Sequence, residues 1–287
     1  MSNLKELPQN LRISTMTAVS KINSNINLKE LYNSLDIDNY IRFIEYSVNP
    51  TKGFHHKIIS EKRKKKKKVF FNQITILILI ENDINNIKLF NNGSISMTGV
   101  KSEKNGKKAI EILFEKLKSS DKILENKEAT ITNFEIVLIN SDYDIGYEIK
   151  RSELHQLLVN NYKIFSSFEP CIYPGVNSKY FWNHLYKEND FKGKCYCINK
   201  CLGNGSGNGD GCCKRVTISV FQSGSIIITG AKSIEQIIDS YNFINKVFED
   251  NKDKLKKVNP YFLENYTTPK IQKNKKKIWI KKNNIIY

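Results

Sequence analysis

Five of the six cysteines fall between positions 195 and 213, as Cys195, Cys197, Cys201, Cys212 and Cys213. Thiolates gathered this closely can hold zinc. Cys195, Cys197, Cys201 and Cys212 are the candidate ligands, since adjacent cysteines rarely both reach one ion. The spacing is not that of a standard zinc knuckle, so a reduced loop is the alternative. The stretch LGNGSGNGDG between Cys201 and Cys212 reads as flexible linker. No Gly-Lys-Ser/Thr follows it, which excludes a phosphate-binding loop. The four histidines, His55, His56, His155 and His184, are scattered. Asp142 and Asp144 sit near the end of an expected strand, where solvation is the simpler reading. No Ser/His/Asp arrangement or paired carboxylates emerge, so the sequence does not point to an enzyme.

The second group of chemically distinctive residues is aromatic and hydroxylic, and it occurs twice. Residues 92–102 read NGSISMTGVKS and residues 223–233 read SGSIIITGAKS. Phe90 and Phe221 precede the two glycine turns. Thr98 and Thr229 end the strands that follow, with Ser96 and Ile227 two residues back and therefore on the same faces. A pattern with helical period comes next in each copy: Ile110, Leu113, Phe114 and Leu117, then Ile234, Ile237, Ile238, Tyr241 and Ile244. Ser102 and Ser233 are suited to cap those helices.

The repeat extends upstream more weakly. Strands are predicted over Arg12–Ile22 and Phe134–Ile145. Short helices follow on Leu28, Leu31 and Leu35, and on Leu154, Leu157 and Leu158. Further strands are expected at Tyr40–Val48 and Asn161–Phe168, and at Phe70–Ile80 and Val176–Trp182. Each half thus reads as strand, helix, four strands, helix. Two such units can join their sheets about a pseudo-twofold axis, with helices on one face and the other face bare.

Lys and Arg number 46 against 29 acidic residues, a formal charge of +17. That excess suits an anionic partner such as nucleic acid, or simply a solvated basic surface. Asn, Ile and Lys dominate the composition, a bias that A·T-rich coding would also produce. The longest apolar run, Ile74–Ile80, is too short to span a bilayer, and the first residues lack an apolar signal core. A soluble intracellular protein without a membrane partner is expected, with thiols or metal ligands rather than disulfides.

On these strings the chain resembles the TATA-box-binding protein family over roughly residues 10–250. Phe90–Gly93 with Met97–Ser102 resembles the end of that family's first repeat. Phe165–Pro170 with Tyr173–Gly175 resembles its second stirrup, and Phe221–Gly224 with Ile228–Lys232 the end of its second repeat. The resemblance implies an α+β fold: two pseudo-symmetric repeats forming a curved antiparallel sheet, a saddle, with helices on the convex face. It implies wedging of DNA by aromatics at Phe71 (or its neighbour Phe70), Phe90, Tyr173 and Phe221, where Tyr173 departs from the family's phenylalanine. It implies minor-groove contacts from Thr15, Thr17, Ser96, Thr98, Asn140, Ile227 and Thr229, and a preference for A·T pairs, whose minor groove offers only acceptors. The family's central asparagines should fall near Thr15 and near Leu138, with Asn140 two residues on, so that one or both of those donors are lost. Shape and deformability then carry more of the specificity.

The domain reading is an N-terminal segment, 1–9; a first repeat, 10–126, with a basic insertion near 49–68; a second repeat, 127–250, with a Cys/Gly-rich insertion near 183–213; and a basic tail, 251–287. Lys64, Lys66 and Lys68 of the first insertion, with Lys101 and Lys232, are the candidate phosphate contacts. The lysine run could equally be a targeting signal. The function implied is a general transcription initiation factor on A·T-rich promoter DNA, recruiting a TFIIB-type factor, with Glu169 as the contact, and RNA polymerase. No cofactor is required beyond a structural zinc in the Cys-rich insertion. The protein would be a monomer on DNA and a candidate homodimer off it. It would work in the nucleus or at a viral transcription site. The alternative is an interaction scaffold or repressor of the same fold with weak sequence preference.

Overall fold

The computed structural model describes residues 7–54, 69–186 and 192–257. The lysine run, with Lys64, Lys66 and Lys68, lies outside the described residues, as do His55, His56 and the tail from 258 onward. Within residues 7–257 the order is β1 (Arg12–Ile22), α1 (Leu28–Ser34), β2 (Ile41–Tyr46), β3 (Lys52–Gly53), β4 (Gln73–Ile80), β5 (Asp83–Phe90), β6 (Ser94–Val100) and α2 (Glu103–Leu117). The second half follows as β7 (Ile131–Asp144), α3 (Arg151–Asn160), β8 (Phe165–Ser167), β9 (Val176–Trp182), β10 (Lys214–Val220), β11 (Ser225–Ala231), α4 (Ile234–Asp250) and α5 (Lys252–Leu255). All the strands join one antiparallel sheet in the order β3-β2-β4-β5-β6-β1-β7-β11-β10-β9-β8. The two halves meet at its centre, β1 against β7. The expected fold class is the one observed, with the two-residue β3 as an extra strand in the first half.

The ladder of the first half recurs in the second pair for pair. Ala18↔Met97, Ser20↔Ile95 and Met16↔Val100 correspond to Ser141↔Ile228, Tyr143↔Ile226 and Ile139↔Ala231. Ile87↔Met97 corresponds to Ile218↔Ile228, and Ile80↔Asp83 to Trp182↔Lys214. The turns agree as well. Ile22 N donates to Gly93 O, and Ile145 N to Gly224 O. Both glycines have positive φ and sit against a carbonyl: a Cβ on Gly93 would lie 2.2 Å from Ile22 O, and one on Gly224 2.3 Å from Tyr147 O. Only glycine satisfies both the conformation and the close approach.

Strand alternation sorts the residues into two faces. Met16, Ala18 and Ile22, Ile74 through Ile80 at every second position, Ile95, Met97, Ile139, Ile218, Ile226 and Ile228 are buried. They form one core with Leu31 of α1, Ile110 and Leu113 of α2, Leu154 and Leu158 of α3, and Ile237 and Ile244 of α4. One contiguous core that takes in every helix places the helices on one side of the sheet. Ser102 and Ser233 cap α2 and α4, accepting from Asn105 N and Gln236 N. At α4 Gln236 Oε1 also accepts from Lys232 N, the residue before the cap.

Candidate nucleic-acid interface

The opposite face carries Thr15, Thr17, Val19 and Lys21 on β1, Leu138, Asn140 and Asp142 on β7, Ser96 and Thr98 on β6, and Ile227 and Thr229 on β11, all at least partly exposed. The structure therefore brings together every residue expected to touch a minor groove. Its centre is the β1–β7 ladder, where Thr15 faces Asn140 and Thr17 faces Leu138. The two expected asparagine positions lie on this central pair of strands. The hydroxyls differ in freedom. Thr15 Oγ1 accepts from Gly99 N at 3.1 Å across a bulge, so it is already engaged within the sheet. Thr229 donates to Asn140 Oδ1, a bond that does not engage the Asn140 amide nitrogen.

Aromatic groups mark both ends. At one end Tyr173 and Phe221 meet edge to face, centroids 5.8 Å apart and planes at 61°. At the other, Phe71 precedes β4 and Phe90 ends β5, in the corresponding ladder positions. Phe71 is 68% exposed and Phe70 51%. Sequence reasoning missed Ile172, beside Tyr173 and 81% exposed, which answers Phe70 in the repeat register. It also missed Arg151. This guanidinium donates to Pro174 O and to Gln222 Oε1 at 3.1 Å, and lies over the Phe168 ring at 5.1 Å. It ties the loop holding Tyr173 to the turn that follows Phe221. Glu169 is exposed on that loop, and its carbonyl accepts from Ile172 N and Tyr173 N.

The basic residues are distributed differently from expectation. Lys101 and Lys232 line a cleft of 940 Å³ with Ser102, Glu103, Phe134, Ser233 and Ile238, between the N-termini of α2 and α4. Lys101 donates to Ser14 O, and Lys232 pairs with Glu135 at 3.2 Å. They belong to the helix-bearing side, away from the row of threonines. Each follows the last residue of its strand, the buried Val100 or Ala231, and precedes the cap of the next helix, Ser102 or Ser233, so it stands where the chain leaves the sheet for the helical layer. Lysine and arginine on the open side include instead Lys21 on β1, Lys88 on β5, Lys179 on β9 and Arg215 on β10. Lys179 donates to Thr217 Oγ1 at 3.0 Å. Burial, and then the charge of Arg215, lower its pKa below the ordinary lysine value. Two cations held this close are relieved by an anion between them.

In the second insertion, the cysteine sulfurs within 4.8 Å of one another are those of Cys195, Cys197, Cys201 and Cys213. Cys213, not Cys212, completes the group. Entry into β10 turns the Cys213 side chain inward, where it is fully buried, and Cys212 outward. The glycine-rich stretch is a folded loop rather than a linker: Arg215 N donates to Gly203 O, His184 N to Gly207 O and Gly205 N to Cys213 O. Gly207 lies flat on Trp182, where a Cβ would come within 2.2 Å of the ring.

The chain thus presents an antiparallel sheet in two matching halves, with helices behind, the Tyr173–Phe221 ring pair at one end and Phe71 and Phe90 at the equivalent positions of the other. Comparisons with known proteins agree on its kin. Residues 133–250 match the family model "Transcription factor TFIID (or TATA-binding protein, TBP)". A "TATA-box-binding protein-like" protein of Acanthamoeba polyphaga mimivirus is 30% identical over 266 residues, covering 86% of this chain and 67% of that protein. The solved structure of Methanococcus jannaschii TBP covers 85% of this chain and 99% of its own, at 19% identity and a TM-score of 0.46. The chain belongs to the TATA-box-binding protein family.

Proposed function

We propose that the open face lies in the minor groove of A·T-rich duplex DNA, and that the aromatics at its two ends enter base steps and bend the duplex. The observation that supports this most directly is the Tyr173–Phe221 pair at one end, with Phe71 and Phe90 in matching positions at the other. Between them runs a row of hydroxyls and apolar groups bearing few charges. Flat rings on short loops replace stacking with little loss of side-chain entropy. Thr98 and the Asn140 amide suit the acceptors of A·T pairs, while Ile227 and Leu138 disfavour the amino group of guanine. Lys88, Lys179 and Arg215 flank that row as phosphate contacts. The chain then acts as a transcription initiation factor, with Glu169 exposed to meet a TFIIB-type factor and, through it, RNA polymerase. This role is non-catalytic and needs no cofactor at the DNA face.

The test is end-to-end FRET on a short duplex carrying an A·T-rich octamer, with wild type and the Phe90→Ala, Phe221→Ala double variant. A shortened distance for wild type, lost in the variant and weak on a G·C-rich duplex, is expected. Equal, salt-sensitive binding to both duplexes without bending would overturn the reading. A second reading, an interaction scaffold, draws on Asp142 and Asp144 of the same face, one paired with Arg12 at 2.7 Å and the other capping Gly146 N. Binding of a factor B protein without duplex binding would favour it.

A further inference from the structure

Among its described residues, the loop that joins β9 to β10 has no apolar core of its own. Leu185, Ile198 and Leu202 all point outward, and Ile198 is 96% exposed. No helix longer than the 3-10 turn His184–Tyr186 is present among its described residues. Yet its backbone is fixed at many points. Asp210 accepts from Ile198 N at 2.7 Å and from Asn199 N at 2.9 Å. Asn183 bridges Gly209 O and the Cys213 sulfur. At the middle of these contacts four sulfurs converge from three points of the chain.

The geometry points to a tetrahedral zinc ion held by the thiolates of Cys195, Cys197, Cys201 and Cys213. With Zn–S bonds near 2.3 Å, ligand sulfurs of a tetrahedron stand roughly 3.8 Å apart. Here Cys213 Sγ lies 3.3 Å from Cys197 Sγ and 3.7 Å from Cys195 Sγ, and all four fall within 4.8 Å. These separations are far too long for disulfides, which need about 2.05 Å. They are also too short for four thiolates without a cation among them. The backbone holds the sulfurs in place: the Cys197 amide donates to the Cys195 sulfur, and the Gly203 and Cys213 amides to the Cys201 sulfur. The Gly203 amide reaches back two residues, and the positive φ of Gly203 allows that hairpin. Four sulfurs and no oxygen or nitrogen donor make a closed, structural site rather than a catalytic one. Zinc takes the place of the missing core, so its binding energy is the folding energy of the loop. Because Cys213 leads directly into β10 and the loop rests on Trp182 of β9, the ion also clamps the end of that hairpin.

The experiment is metal analysis of the full chain purified reduced and without chelator, beside its Cys197→Ser, Cys213→Ser, Cys212→Ser and Cys171→Ser variants. Zinc near one per chain is expected in wild type, Cys212→Ser and Cys171→Ser, and in neither of the other two. Cobalt exchanged into wild type should show the intense visible absorption of a tetrahedral tetrathiolate, which does not depend on any variant folding. Chelation should open the loop to protease between residues 192 and 213 while the helical and sheet signal of the remainder persists. Four outcomes each overturn the assignment: protein that takes up neither zinc nor cobalt, iron in place of zinc, a native disulfide among these cysteines by mass spectrometry, or equal zinc loss in Cys212→Ser and Cys213→Ser.

Discussion

Tyr173 and Phe221 rest against each other over Gly175, where a Cβ would come 2.9 Å from the Tyr173 ring and 3.2 Å from that of Phe221. The ring pair is therefore set by the absence of a side chain at 175. Gly175→Val should drive the rings apart. Bending of an A·T-rich duplex at that end should fall, with affinity about tenfold weaker, or about 1.4 kcal/mol. FRET on duplexes labelled at either end measures this. An undiminished bend would show that the ring pair is not the wedge.

Asn140 and Thr229 are coupled across the β7–β11 ladder, so they should be read as one unit. Thr229→Val leaves the Asn140 amide free to rotate. Its cost to stability should be about 1 kcal/mol or less, since the pair is only part-buried. Its effect on the ratio of A·T-rich to G·C-rich binding should be larger, and Asn140→Ala should lower that ratio by a similar factor. Because both variants remove the same coupled contact, their double variant should be little worse than either alone. Competition binding of the four proteins checks this.

Lys179 should report on phosphate. Lys179→Gln should reduce the slope of log affinity against log salt by about 0.9, the share of one phosphate contact. It should weaken A·T-rich and G·C-rich duplexes alike. Lys101→Gln should leave the slope unchanged, because that side chain sits past the end of its strand on the helical side and donates to Ser14 O. A salt titration of both variants separates the two positions.

Asn85 is a place where substitution should stabilise. It is fully buried, its Oδ1 has no hydrogen-bond partner, and its amide reaches Ile78 O and Asp83 O only at 3.5 and 3.4 Å. The position that answers it in the second half is Val216. Asn85→Val should raise stability by about 1–3 kcal/mol, the penalty of an unmet buried polar atom. Urea unfolding measures the change, and a loss of stability would mean the amide is better satisfied than its distances suggest.

The caps give the opposite sign. Ser233→Ala removes the acceptor for Gln236 N and should cost about 1 kcal/mol. Ser102→Ala should cost somewhat less, since the first half lacks the returning glutamine contact seen at Gln236. The sites are far apart in the chain and share no partner, so the two losses should add in the double variant.

Why some of this was legible in the sequence and some was not follows from particular residues. The helices on Ile110–Leu117 and Ile237–Ile244, their serine caps and the strand Val176–Trp182 carry strong periodicity and, through the repeat, confirm one another. The doubled NGSISMTG and SGSIIITG strings identify which residues are equivalent, but equivalence does not say which face a residue occupies. Lys101 and Lys232 are equivalent and both lie behind the sheet, because each stands past the end of its strand, beside the cap of the helix that follows. Cys213 rather than Cys212 joins the sulfur group for a related reason: side-chain direction at the mouth of β10 depends on where pairing with Trp182 begins, and only the register decides that. Arg151 was hidden because its partners, Pro174 and Gln222, are distant in sequence.

A body that repeats its ladder pair for pair can be laid on any near-palindromic partner in two opposite ways, and only its inequalities choose between them. At the centre, Thr17 looks across to Leu138 while Thr15 looks across to Asn140, so the two sides of the axis present different chemistry within a few ångströms. At the rims, one end offers Tyr173 on a loop braced by the Arg151 guanidinium and the other Phe71, whose carbonyl accepts from the neutral Tyr46 hydroxyl. These mismatches give an otherwise mirrored platform an arrow. They make left distinguishable from right, and with it upstream from downstream on whatever double strand it grips.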